Sequence, residues 1–138
     1  MQNYEYTHHD DGIHEFVFHK FDRSTIDEHL AFFQNLRQDM AENEPIFYLS
    51  DLRDASAPPF RYSVNKARKL NKETPFLENM VIANVLKDGL IGEALRVFIN
   101  SITRGSKARA FTGENAREEA LAWLQEQIAN TKTQVKGA

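Results

Sequence analysis

The chain predicts an α/β fold: a mainly parallel sheet of four to five strands, an N-terminal antiparallel hairpin strand and about four crossover helices. Three observations predict it. Short runs rich in β-branched and aromatic residues recur at Ile13–His19, Ile46–Leu49 and Met80–Leu86. Between them lie segments with apolar residues three and four apart, the helical period. Asp11-Gly12 and Asp88-Gly89 mark tight turns at the borders. Strands alternating with helices imply crossover connections and a sheet covered by helices.

Each element has its own warrant. Gln2–Thr7 is a weak strand, joined to the stronger Ile13–His19 through His8-His9-Asp10-Asp11-Gly12. That link has hairpin-turn chemistry, so these two strands are antiparallel neighbours. Ser24 has the place of an N-cap, with Asp27 three residues on, and Ile26, Leu30, Phe33 and Met40 follow at helical spacing. Ile46–Leu49, entered from Pro45, reads as a buried strand. Pro58 and Pro59 suit the first turn of a helix, where amide protons lack partners. Phe60, Val64 and Ala67 give that helix its inner face, and Pro75 ends what precedes it. Met80–Leu86 is a second buried strand. Leu90–Ile102 is a helix with a wide apolar face. Lys107–Thr112 is a strand alternating basic with small or apolar residues. The last helix opens at Thr112 or Gly113 and turns Ala116, Ala120, Leu124 and Ile128 inward.

The chain has 138 residues, which predicts one domain. It is drawn over residues 1–129, with 130–138 as a frayed tail. The formal net charge is -3, which gives no general attraction for nucleic acid or anionic membrane. There is no cysteine, which excludes thiol catalysis, disulfides and thiolate metal sites. The N-terminal residues lack a basic and then apolar leader pattern, and no apolar run approaches the ~20 residues of a membrane span. The expectation is a cytoplasmic protein without membrane insertion.

The strand–loop–helix DLRDASAPPFRYS, the strand–turn–helix MVIANVLKDGLIGEALRVFI and the ending RAFTGENAREEALAWL carry a resemblance. Together with the order of elements they resemble the SpoIIAA-like (STAS) superfamily, in its uncharacterised bacterial branch, over roughly Ile13 to Leu124. The resemblance implies a regulatory or binding domain rather than an enzyme. Phosphorylated antagonists of that group carry an Asp-Ser-Ser-Gly motif at the start of the second crossover helix. This chain has Asp54-Ala55-Ser56-Ala57-Pro58-Pro59 there, without the glycine. Ser56 matches by position only, and the phosphoserine switch is not carried over.

Among candidate sites, the 51–62 loop brings Asp51, Arg53, Ser56, Arg61 and Tyr62 together in sequence. The two arginines suit an anion or a partner, helped by free amides at a helix start. The alternative is structural: Asp51 caps a turn, Arg53 pairs with an aspartate and Ser56 caps the helix. His8, His9, Asp10, Asp11 and His14 have metal-like composition, but adjacent strand residues point to opposite faces, so a solvated turn is preferred and no metal is expected. His19 and His29 are expected at the surface without partners. Arg96, Arg104, Lys107 and Arg109 form a small basic group suited to neutralising helix ends. Leu90, Ala94, Val97 and Phe98 belong to an apolar surplus fit for an interface or a ligand cavity. No nucleophile elbow or phosphate-cradling glycine motif occurs, and no catalytic residue or cofactor is expected.

The function expected is a non-catalytic STAS-like regulatory or protein-interaction domain, bound to another protein or to itself as a homodimer. The alternative is a module for a small hydrophobic or anionic ligand or a lipid, sited between the 51–62 loop and helix 90–102. Nucleic acid is not expected as a partner.

Overall fold

The computed structural model describes residues 3–41, 44–55, 60–73, 79–89 and 107–136. Five strands form one sheet in the order β1-β2-β3-β4-β5. They are β1 (Tyr4–His8), β2 (His14–Phe18), β3 (Ile46–Asp51), β4 (Met80–Val85) and β5 (Lys107–Phe111). β1 pairs antiparallel with β2, and the remaining neighbours are parallel. This is the mainly parallel sheet with an N-terminal antiparallel strand that the sequence predicts. Three helices are described: α1 (Arg23–Gln38), α2 (Phe60–Glu73) and α3 (Ala116–Lys136). The fourth expected helix, 90–102, lies outside the described residues.

The hairpin forms where Asp-Gly allows a tight return. Gly12 has φ +96°, which suits a residue without Cβ. Its amide donates to the His9 carbonyl at 2.9 Å, and the His9 amide donates to that of Ile13 at 2.8 Å. Register then places His8 opposite His14 and Tyr6 opposite Phe16.

Strand alternation sorts side chains onto two faces. Phe16, Phe18, Ile46, Tyr48, Met80 and Ile82 form one core with Ile26, Leu30 and Phe33 of α1 and Ala67 of α2. Phe47, Leu49, Ala83, Val85 and Phe111 form the other core with Ala116, Ala120 and Leu124 of α3. So α1 and α2 share one face and α3 covers the opposite one. Consecutive crossovers of one hand, stepping in one direction, place their helices on the same side.

Some borders differ from the sequence reading. The N-cap of α1 is Asp22, not Ser24: its Oδ1 accepts from the Thr25 amide and hydroxyl, both at 2.9 Å. An aspartate at this position satisfies free amides and complements the helix dipole. β3 runs two residues past Leu49 to Asp51, because Ser50 and Asp51 pair with Asn84 and Val85. α3 begins at Ala116, after Gly113 with φ +102°, and stays helical to Lys136 across the segment expected to fray. Among the described residues no helix is long and apolar enough to cross a membrane.

Candidate functional site

The sheet places Asp51 and the first turn of α2 differently. Asp51 ends β3 on the face shared with Leu49, towards α3. It is buried, and its Oδ1 accepts from the Arg53 amide at 3.2 Å and from Nε at 3.0 Å. Its Oδ2 accepts from the same guanidinium at 2.7 Å. One residue thus caps the turn that leaves the strand and holds the arginine two positions later. The Asp51 bonds raise the Arg53 pKa above its ordinary value against the opposing effect of burial. Both members of this pair are committed to each other.

Arg61 and Tyr62 lie on the other side of the sheet, on α2 against α1. The Tyr62 hydroxyl donates to Asp27 Oδ1 of α1 at 2.5 Å. This bond, with partial burial and the charge of Asp27, raises the phenol pKa, and Arg23 opposes the rise. The Arg23 guanidinium lies 5.0 Å from the Tyr62 ring centroid, a cation–π contact. Lys66 Nζ is 3.9 Å from Asp27. Arg23, Arg61, Tyr62, Asn65, Lys66 and Lys69 line an open groove of about 380 Å³. The loop residues adjacent in sequence are therefore split between two faces: Asp51 and Arg53 form one unit, Arg61 and Tyr62 belong to another.

Helical spacing builds this groove. Arg61, Asn65 and Lys69 recur every fourth residue, as do Tyr62 and Lys66, so two adjacent rows face the same way. The segment FRYSVNKARKLNKE has five cations and one carboxylate. On a chain of net charge -3, that contrast is a local signal of the groove. Arg23 and Asp27 come from α1 and are joined to the groove by packing, which no local pattern announces.

A second buried carboxylate is also consumed. Glu15 of β2 points to the α3 face and accepts from Arg117 Nε at 2.7 Å and Nη2 at 2.8 Å. His9 Nε2 lies 2.7 Å from the same carboxylate. Arg117 is the main cause holding the Glu15 carboxyl below its ordinary range; burial opposes it and His9 adds to it. The network ties β2 to the start of α3.

The hairpin histidines diverge as strand geometry requires. His9 meets Glu15, whereas His8 stacks on His14 at 4.3 Å on the other face. Tyr6 completes that side, its hydroxyl 2.7 Å from His14 Nδ1. Burial, then the neighbouring His8, lowers the His14 pKa to about 4. Among the described residues no three metal-ligating side chains converge.

His29 is not a partnerless surface residue. Its Nε2 lies 2.7 Å from the Tyr48 hydroxyl. Phe16, Phe18 and Phe33 stand edge-on to its ring at 4.7, 4.9 and 4.9 Å. Its Nδ1 is buried with no hydrogen-bond partner among the described residues. Burial lowers its pKa to about 3. His19 does lie at the surface, but pairs with Glu5 at 3.1 Å. Of the small basic group, Lys107 donates to Gln127 of α3 and Arg109 lies 4.9 Å from the Phe111 ring.

Ser56, Leu90, Ala94, Val97, Phe98, Arg96 and Arg104 lie outside the described residues. So does most of the cavity expected between the 51–62 loop and helix 90–102.

The sheet topology bears on where a site belongs. The strands follow one another in chain order, with no reversal. The crevice that doubly wound sheets open at such a reversal is therefore not built here. The polar end of β3 is filled by the Asp51–Arg53 pair instead.

No family model and no curated protein matches the chain. Among solved structures it is similar to a protein of Thermotoga maritima described as a "putative anti-sigma factor antagonist". The two are 16% identical with a TM-score of 0.49, over 85% of this chain and 93% of that one.

Proposed function

We propose that this chain is a non-catalytic regulatory domain that acts by binding another protein, and that the contact surface is the groove between α1 and α2. The observation that supports this most is the concentration of Arg23, Arg61, Lys66 and Lys69 around one opening on an acidic chain. Fixed cations on a rigid helix steer and select an oppositely charged partner. The buried carboxylates Glu15 and Asp51 support the non-catalytic half of the reading, since each is held by an arginine of its own chain. A general base needs a carboxylate that is available to substrate.

The test compares two tagged proteins in extract of the source cell. Lys66→Glu combined with Lys69→Glu reverses two of the groove's four cations, at side chains that do not enter either core. The reading expects a protein retained by the unaltered chain and lost by the double variant. Identical retained sets would overturn it.

A further inference from the structure

We infer that Asp27 is a built-in occupant of the α1–α2 groove, standing where a carboxylate of an acidic protein segment binds. A partner displaces it from Tyr62 and Lys66. The inference rests on the proposed function and adds the chemistry of the partner and a self-occupied state of the site.

Three observations carry it. Asp27 stands beside a groove lined by four cations and no acid, and it engages two of the lining residues, Tyr62 and Lys66. It makes the contacts an incoming carboxylate would make: a short bond from the Tyr62 hydroxyl and proximity to the Lys66 ammonium. It is also 45% exposed in its side chain, so solvent and ligand reach it without unfolding. An exposed ion pair at 3.9 Å is weakly held and exchanges readily. Arg61 and Lys69, at the two ends of the outer row, line the same groove and extend the site beyond Asp27.

The dimensions favour a short peptide. Arg61 to Lys69 spans eight residues of helix, about 12 Å at 1.5 Å per residue. That length matches about four residues of extended chain. A long polyanion such as nucleic acid would meet a protein of net charge -3 beyond the groove, and four cations form no extended phosphate track.

Fluorescence anisotropy at low ionic strength provides the test, with a labelled tetraglutamate peptide as probe and a thymidine oligonucleotide of equal charge as comparison. Asp27→Asn removes the internal competitor and its repulsion. Two exposed charges about 4 Å apart in water interact enough to change affinity roughly fivefold. The expected result is that Asp27→Asn, and likewise Asp27→Ser, binds the peptide about fivefold more tightly than the unaltered chain. Lys66→Glu/Lys69→Glu abolishes binding. Equal affinity of the Asp27 variants and the unaltered chain, both lost on charge reversal, would overturn the role of Asp27 and leave the proposed function standing. No peptide binding by Asp27→Asn would overturn the acidic-segment assignment. Oligonucleotide binding as tight, with the same dependence on Lys66 and Lys69, would overturn the choice of a protein partner.

Discussion

Replacing His29 by phenylalanine should flatten the acid side of the stability profile. The imidazole sits among Phe16, Phe18 and Phe33 with Tyr48 at Nε2, and burial lowers its pKa from 6.5 to about 3. The folded state therefore binds no proton here at pH 5, while the unfolded state does. Stability is unaffected above the unfolded value. It falls by 1.36 kcal/mol per pH unit between the unfolded and the folded pKa. From pH 7 to pH 5 the loss is about 2 kcal/mol. His29→Phe keeps an aromatic ring in the cage and removes the proton site. The Tyr48 hydroxyl still has Ser50 as a partner. His29→Gln keeps an acceptor for Tyr48 and is neutral throughout. Urea unfolding at pH 7 and pH 5 measures the difference directly. The unaltered chain should lose about 2 kcal/mol more than either variant over this range. His14, also lowered by burial, contributes to all three proteins and cancels in the comparison. Equal losses in all three would refute the enclosed, neutral imidazole.

Arg117→Ala should destabilise by roughly 2–3 kcal/mol, because it strands the buried Glu15 carboxylate with His9 alone; a change under about 0.5 kcal/mol in urea unfolding would contradict this. The stabilisation from Glu15 is present above its unfolded pKa and is lost as pH falls through the lowered folded value, so the cost of Arg117→Ala should shrink in acid. Gly113→Ala places a Cβ at φ +102° with no neighbouring atom within 4 Å, so the cost is backbone strain alone, about 1 kcal/mol, visible in thermal unfolding. Asp27→Asn should lower the Tyr62 pKa, read from the phenolate absorbance on titration; an unchanged midpoint would mean that the Tyr62–Asp27 bond does not form in solution.

The strands are legible because short runs of apolar β-branched and aromatic residues recur in them between turn signals. Tyr48, Leu49, Ile82 and Val85 read as buried from composition and are buried. The α3 stripe of Ala116, Ala120 and Leu124 was equally plain from its four-residue spacing. The N-cap was harder: Asp22 and Ser24 are both good caps, and the choice depends on which side chain reaches a free amide. The charged loop was read as one site since its residues are neighbours in sequence. A strand end and a helix start on opposite faces of a sheet separate them in space, and sequence distance does not record that. His29 reads as a surface residue for a similar reason. Its partner is Tyr48, nineteen residues later on another element. The groove depends on α1 meeting α2, where only the α2 half has a local signature.

The cover that α3 gives the far face sets a condition on biosynthesis. Among the described residues, α3 alone covers Phe47, Leu49, Ala83 and Val85, and it is made after every strand. A nascent chain can pair its strands one beside the next as they leave the ribosome, since spatial and chain order coincide. Until Ala116, Ala120 and Leu124 follow, Phe47, Leu49, Ala83 and Val85 have no helix over them among the described residues. A chain halted before α3 therefore presents this apolar patch, the kind of surface on which chaperones act.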